Sequence, residues 1–397
     1  MSAVSPASEP CASRESPWQI FLMFLRLGLT SFGGPVAHLG YFRQEFVQRR
    51  RWLGEAAYAE LVALCQFLPG PASSKVGIVL GVSRAGLPGA LCAWLGFTLP
   101  SALALALLAL GIGSGVPPGV LKGLQIVAVA VVALALWGMA RSLCRGALRI
   151  AIALLAAWLV LRWPGLSGQL LVMLLAALVG GVLITPAART EVDALAPWGS
   201  RRLGALLLAV AALLLLVLPW LSALWPHTWL RLFDAFYRIG ALVFGGGHVV
   251  LPLLQSQVVE SGWISDPLFM TGYASAQAVP GPLFSVAAFI GAAIDGWPGA
   301  LICLLAIFLP GFLLVIGVLP FWQTLRQRRR IQAALAGVNA AVVGVLAAAL
   351  YQPLGTSSVT GPTELLAVLL ALVMLRSGRV PPWALVLLGA ALGGWLL

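Results

Sequence analysis

The stretch CQFLPGP, residues 65–71, has a counterpart in AQAVPGP, residues 276–282. Each sets a glutamine, two apolar residues and Pro-Gly-Pro inside a strongly apolar segment. Proline removes a backbone donor and glycine lowers helix stability, so Pro-Gly-Pro stops a helix. The same helix-stop written twice points to a larger repeat.

The halves align well beyond it. RLGLTSFGG (26–34) matches RIGALVFGGG (238–247), WLGE (52–55) matches WISD (263–266), and Gln66 matches Gln277. GLPGALCAWLGFTLP (86–100) matches GWPGALICLLAIFLP (296–310), Arg162 falls on Arg376, and Gly180-Gly181 falls on Gly393-Gly394. The offset stays between 210 and 214. Chance pairs Leu with Leu, but not Arg, Trp, Gln and Pro-Gly-Pro in one order. The chain therefore reads as a disordered tail (1–16), a first repeat (17–186), a linker with an extra apolar helix at 203–221 (187–229), and a second repeat (230–397).

Of 397 residues, 61% are hydrophobic and 9% charged, where a soluble domain is nearer a quarter charged. Apolar runs long enough for a bilayer recur throughout. The expected class is an all-α polytopic membrane protein with some 10–13 membrane segments. The net charge of +12 sits mostly in short loops, which fits membrane anchoring rather than nucleic acid. The five cysteines have no paired spacing, and no metal or cofactor motif is present. The tail lacks the basic-then-apolar order of a cleaved signal.

Each repeat reads as a first long helix (17–40; 230–250) and an apolar segment broken by Pro-Gly-Pro (56–82; 268–292). Two full spans (88–112 and 119–140; 298–321 and 332–351) and two shorter helices (150–162 and 168–186; 364–376 and 382–397) follow. Loop charges swap between the halves. Arg43, Arg49, Arg50 and Arg51 face Glu260 and Asp266; uncharged GIGSGVPPG (111–119) faces RQRRR (326–330); Arg141, Arg145 and Arg149 face an uncharged 352–362. By the positive-inside rule the repeats are inserted upside down relative to each other, the plan of many secondary transporters. The crossing count does not close: five per unit plus 203–221 is even, and inversion needs an odd number.

Arg26 and Arg238 lie within the first helices, where a charge is costly and usually functional. Gly33, Gly34, Gly245 and Gly246 follow and permit close packing or unwinding. A broken membrane helix is tolerated where its free backbone groups meet protein or water. Pro69, Gly70, Pro71 and Pro280, Gly281, Pro282 supply the hinges. The helix starting after each break offers N–H groups to an anion. Ser73, Ser74 and Lys75 stand there in the first repeat and Ser285 in the second; Gln66 and Gln277 add amide donors. His38 and His248 stand beside the glycine runs, and His248 is the candidate proton carrier. No Asp/Glu pair, HExxH, GxSxG or GKS/T loop is present. That set weakens a membrane enzyme, an ATP-driven pump and a cation transporter needing acidic ligands, and fits a small-anion carrier.

FGGPVAHLGYFRQEF (32–46), WLGEAAYAELVALCQFLPGP (52–71), FGGGHVVLP (244–252) and WISDPLFMTGYASAQAVPGP (263–282) resemble the chromate ion transporter family in its long bidomain form. The resemblance covers nearly the whole chain. It implies a multi-pass protein of the bacterial inner membrane that exports chromate, a sulfate-like dianion, using the proton motive force, and so confers chromate resistance. It maps the family's motif residues onto Arg26, Phe32, Gly33, Gly34, Gln66, Pro69, Gly70, Pro71 and their counterparts. Uptake or exchange of sulfate is the nearest alternative, and a membrane-embedded enzyme or lipid-handling protein the alternative of another class. Expected partners are the oxyanion, the bilayer and, optionally, a second copy in a homodimer; no cofactor is expected.

Overall fold

The computed structural model describes residues 15–32, 34–112, 118–163, 166–185, 199–243, 250–351, 361–377 and 380–396. They form helices with no strand among them. The first repeat holds α1 (Pro17–Thr30), α2 (Gly34–Phe42) running into a π-turn (Arg43–Arg49), α3 (Glu55–Phe67), α4 (Ala72–Ile112), α5 (Pro118–Leu143), α6 (Ala147–Arg162) and α7 (Leu166–Leu183). α8 (Arg201–Leu224) is the extra helix. The second repeat holds α9 (Thr228–Leu242), α10 (Val250–Val258), α11 (Asp266–Ala278), a 3-10 turn (Leu283–Ser285) and α12 (Val286–Val318). α13 (Trp322–Gln327), α14 (Arg329–Ala349), α15 (Pro362–Arg376) and α16 (Pro382–Leu396) complete it. Five helical stretches among the described residues are long and apolar enough to cross a membrane.

The first long helix of each repeat is a correction. It is two half-length helices, because the chain leaves the helix at Ser31 and Gly34 takes φ +77° ahead of Pro35, a conformation suited to glycine. α1 and α2 fold back on each other: Phe24 stacks on Phe46 at 5.0 Å and meets Phe42 edge-on at 5.6 Å. In the second repeat α9 ends at Leu242 and α10 resumes at Val250. The stretch 252–266, expected as a loop, is helical through Val258.

α4 and α12 are likewise each two helices joined by a sharp bend, at Gly86 (φ +64°) and Gly296 (φ +62°). The legs pack so closely that a Cβ on Gly81 would lie 2.3 Å from the Gly89 carbonyl oxygen, and one on Gly291 2.2 Å from that of Gly299. The first legs, 72–84 and 286–294, are ~20 Å or shorter, half to two-thirds of a ~30 Å bilayer core. Their far ends return to where the preceding helix began. Arg84 donates to the Trp52 carbonyl at 2.7 Å and lies 5.0 Å from its ring centre. In the second repeat, Trp229 donates to Asp295 at 2.6 Å and Arg231 lies 5.7 Å from the Trp263 ring centre. Each repeat thus opens with two helical hairpins rooted at one end.

The remaining helices interlock the repeats. α7 packs on α14, and α16 on α5. A Cβ on Gly180 would stand 2.8 Å from Gly337 Cα, and one on Gly393 3.0 Å from Gly123 Cα. These are one contact seen twice, since 180 and 393, and 123 and 337, are corresponding positions. α4 packs on α12, joining the halves at the centre. α8 leans on α9 and α12 of the second repeat, where the Tyr237 hydroxyl donates to the Ala211 carbonyl at 2.9 Å.

At the root of the first hairpins Arg43, Arg49 and Arg50 are paired. Arg43 bridges to Glu55 at 2.8 Å, and Arg49 and Arg50 reach Glu45 at 3.0 and 2.6 Å. Burial pushes the Glu45 carboxyl up, but the hydrogen bonds from Arg50 and Arg49 outweigh it and hold it below its usual range.

Candidate functional site

The four helix breaks meet. Gly70, at φ +96°, donates its N–H to the Val243 carbonyl at 2.7 Å. Gly281, at φ +112°, donates to the Ser31 carbonyl at 3.1 Å. Each Pro-Gly-Pro therefore bonds to the broken end of the first helix in the other repeat. The glycines are required: a Cβ on Gly70 would lie 3.3 Å from the Gly240 carbonyl oxygen, and one on Gly281 2.8 Å from Ser101 Oγ.

Side chains finish the two crossings differently. In the first repeat Lys75 is fully buried, and its Nζ donates to the carbonyls of Leu68 at 2.5 Å and Pro69 at 2.9 Å. The break strands these carbonyls, and an unpaired carbonyl at this depth is expensive. Lysine was expected to face an anion; it spends two donors on the backbone instead. Gly311 leaves room for its chain, with Lys75 Cγ 3.7 Å from where a Cβ would stand. In the second repeat Ser285 takes the place of Lys75 and Ser101 that of Gly311. Ser101 donates to the Thr98 carbonyl at 3.0 Å, so Ser285 donates to Ser101, at 2.7 Å.

His38, on α2, is completely buried at the same place. Its Nε2 lies 3.2 Å from the Ser31 carbonyl, the one Gly281 also uses, and its Nδ1 lies 3.5 Å from Ser73 Oγ. Phe97 closes over the ring edge-on at 5.2 Å. Three buried hydroxyls at this junction, of Ser31, Ser74 and Thr98, have no hydrogen-bond partner. Buried hydroxyls are ordinarily bonded, so these are unspent donors: Ser74 in the first turn of α4, beside that helix's free N–H groups, Ser31 at the end of α1, and Thr98 farther along α4. Such a set suits an oxyanion.

The other expected residues stand elsewhere. Arg26 is exposed rather than buried. It lies two residues, ~200° of helix turn, from Gly28, whose Cβ position would be 2.7 Å from the Phe97 carbonyl oxygen. The face that packs is the glycine face, so arginine points away. Arg238 stands in the same relation to Gly240, and it is paired: its guanidinium donates to Asp234 at 2.6 Å, and Ser222 of α8 donates to the same carboxylate oxygen at 3.2 Å. Gln66 is exposed, and Gln277 is half-buried and bonded to Tyr273. Gly33, Gly245, Gly246 and His248 lie outside the described residues. Asp234, Ser31, Thr98 and Ser101 escaped the reading of the sequence. Their signal was available for Asp234 alone, as an acid four residues before a matched arginine.

The chromate transporter family model matches the chain twice, over residues 18–182 and 230–395. The chain is 32% identical over 391 residues to the chromate transport protein of Cupriavidus metallidurans, covering 95% of this chain and 92% of that one. It is 28% identical over 399 residues to the chromate transport protein of Pseudomonas aeruginosa, covering 96% and 92%. A probable chromate transport protein of Synechococcus elongatus is 30% identical over 408 residues, covering 95% and 94%. No solved structure matches. With both halves matched by one model and relatives aligned nearly end to end, the chain belongs to the chromate transporter family.

Proposed function

We propose that this protein is a secondary transporter that exports chromate, a sulfate-like dianion, across the bacterial inner membrane, is driven by the proton motive force, and so confers chromate resistance. The observation that carries this reading is the crossed pair of bonds from Gly70 to Val243 and from Gly281 to Ser31. They bring four broken helix ends, and the unpaired hydroxyls of Ser31, Ser74 and Thr98, to the interface of the two repeats. A buried dianion needs such partners to offset the loss of water.

The topology supports the same reading. With both opening hairpins turning back, each repeat crosses four times, and α8 makes a fifth passage before the second repeat begins. Five is odd, so the second repeat is inverted and all three swapped loop pairs fall with their basic member inside. Cysteines placed at Arg50 and Ser261, in a background without native cysteines, would then react from opposite sides; reaction from one side would overturn the inversion. A dianion leaving an inside-negative cell gains ~2.3 kcal/mol per charge at 100 mV, hence about 4.6 kcal/mol for chromate.

Chromate flux into inverted vesicles, with and without sulfate, tests the function. The expected result is potential-driven chromate uptake that sulfate competes with. Sulfate flux without chromate flux would establish sulfate transport instead, and no flux of either ion would overturn the assignment.

A further inference from the structure

The junction contains one titratable group that the anion reading leaves unused. His38 is buried, yet both ring nitrogens have partners from different elements: the Ser31 carbonyl at 3.2 Å, at the end of α1, and Ser73 Oγ at 3.5 Å, in the first turn of α4. A carbonyl accepts only, so Nε2 carries the proton in the neutral ring and Nδ1 is the acceptor. Ser73 then spends its O–H on Nδ1. If the ring takes a second proton, Nδ1 becomes a donor, and Ser73 accepts from it. The Ser73 O–H is then released, next to the unpaired hydroxyl of Ser74 and the start of α4. One proton thus adds a positive charge and frees a hydroxyl donor at the point where an anion would sit.

His38 shares the junction with Lys75, and of the two it is the one whose second proton would turn a hydroxyl. On α4, Lys75 is committed to the Leu68 and Pro69 carbonyls. On α1, Arg26 is exposed on the far face. α3 brings Tyr58, whose hydroxyl donates to the Leu39 carbonyl at 2.6 Å, the buried thiol of Cys65, Glu60, which accepts from Trp322 at 3.0 Å, and Glu55, which is paired with Arg43. The π-turn carries Arg43, Glu45 and Arg49, paired at the root of the hairpin. From the second repeat come Gly281 and Ser285, which are uncharged. The positions corresponding to His38 and Ser73 are Val250 and Leu283, both buried, so the device exists once per molecule.

We infer that His38 is the proton-binding residue of the anion site, and that its protonation turns the Ser73 hydroxyl from the imidazole to the anion. This rests on the anion site proposed above. Proton and dianion then reinforce each other's binding, and by linkage the factor is the same in both directions.

Chromate affinity of the purified protein, followed from mildly alkaline to mildly acidic pH, tests it against His38→Gln. Glutamine keeps a donor for Ser31 and an acceptor for Ser73 but takes up no proton. Protonation of chromate itself affects both proteins alike and cancels in their ratio. The expected result is a parent-to-variant affinity ratio that grows on the order of tenfold as pH falls. A ratio independent of pH overturns the inference and leaves the anion site standing. No chromate binding by the parent at any pH overturns the anion site, and this inference with it. Should His38→Gln not fold, Ser73→Ala is read the same way: it removes the hydroxyl that turns, so the ratio of parent to Ser73→Ala affinity grows as pH falls, and a flat ratio overturns the inference.

Discussion

The two repeats share a backbone and differ in the side chains that complete it. Pro-Gly-Pro breaks a helix in each, and each glycine bonds across to the other repeat. In the first repeat the break is filled by Lys75, with His38, Ser73 and Ser74 around it. In the second it is filled by Ser285 on Ser101, with Leu283 and Phe284 in place of the two serines. The arginines differ the other way: Arg238 is neutralised by Asp234, whereas Arg26 has Leu22 at the matching position and is exposed. Duplicated architecture sets where backbone groups are stranded; divergence decides which half supplies polar chemistry there. The junction is symmetric in its hydrogen-bonded frame and one-sided in its ionisable side chains.

The largest effects test the shared frame. Valine at Gly240 would place a Cβ 2.1 Å from the Ile307 carbonyl oxygen, and valine at Gly28 one 2.7 Å from that of Phe97. Backbone oxygens cannot swing aside, so both variants should lose more than ~4 kcal/mol and appear unfolded by thermal melting in detergent. Tolerance at one glycine and not the other would show that the halves are not packed alike.

Next come the fillings. Lys75→Ala leaves the Leu68 and Pro69 carbonyls unpaired and buried, at a cost of about 3 kcal/mol. Ser285→Ala removes one bond while Ser101 keeps Thr98, at a cost of about 1 kcal/mol. Equal losses in equilibrium unfolding would mean that Lys75 is not the cap of its break. The ion pairs should separate less. Asp234→Leu strands Arg238, but with 27% of that side chain exposed the loss should be about 2 kcal/mol. Arg26→Leu should change stability by less than about 0.5 kcal/mol. A large loss at Arg26, measured the same way, would place it in a contact of its own.

The smallest effect tests whether the fillings are interchangeable. A Cβ at Gly311 meets Lys75 Cγ at 3.7 Å and Pro71 Cδ at 3.8 Å, ordinary contact distances. Lys75→Ser with Gly311→Ser rebuilds the second repeat's serine pair in the first. It should recover about 1 kcal/mol of what Lys75→Ser loses alone. No recovery would mean that the two junctions differ in backbone as well as in side chain.

The sequence by itself determined the class and the repeat. Hydrophobicity and length follow from the bilayer, and two copies of one unit keep their arginines, Trp52 and Trp263, and Pro-Gly-Pro in one order. It also placed the breaks, because Pro69 and Pro280 cannot donate and Gly70 and Gly281 can take a positive φ without a steric cost. It did not show that the first segments are also broken, since Ser31-Phe32-Gly33-Gly34 is as compatible with close packing as with a turn. Nor could it assign partners. Whether Lys75 faces an anion or a carbonyl, and whether Arg26 points in or out, depends on which face of each helix a neighbouring backbone occupies. The glycines choose that face, and their partners lie some 70 residues away within a repeat, as Gly28 does from Phe97, or in the other repeat, as Gly70 does from Val243. Contacts set by close approach of distant backbone leave no periodic trace in a single chain, so only the tertiary structure could bring His38, Ser73 and Ser31 to one point.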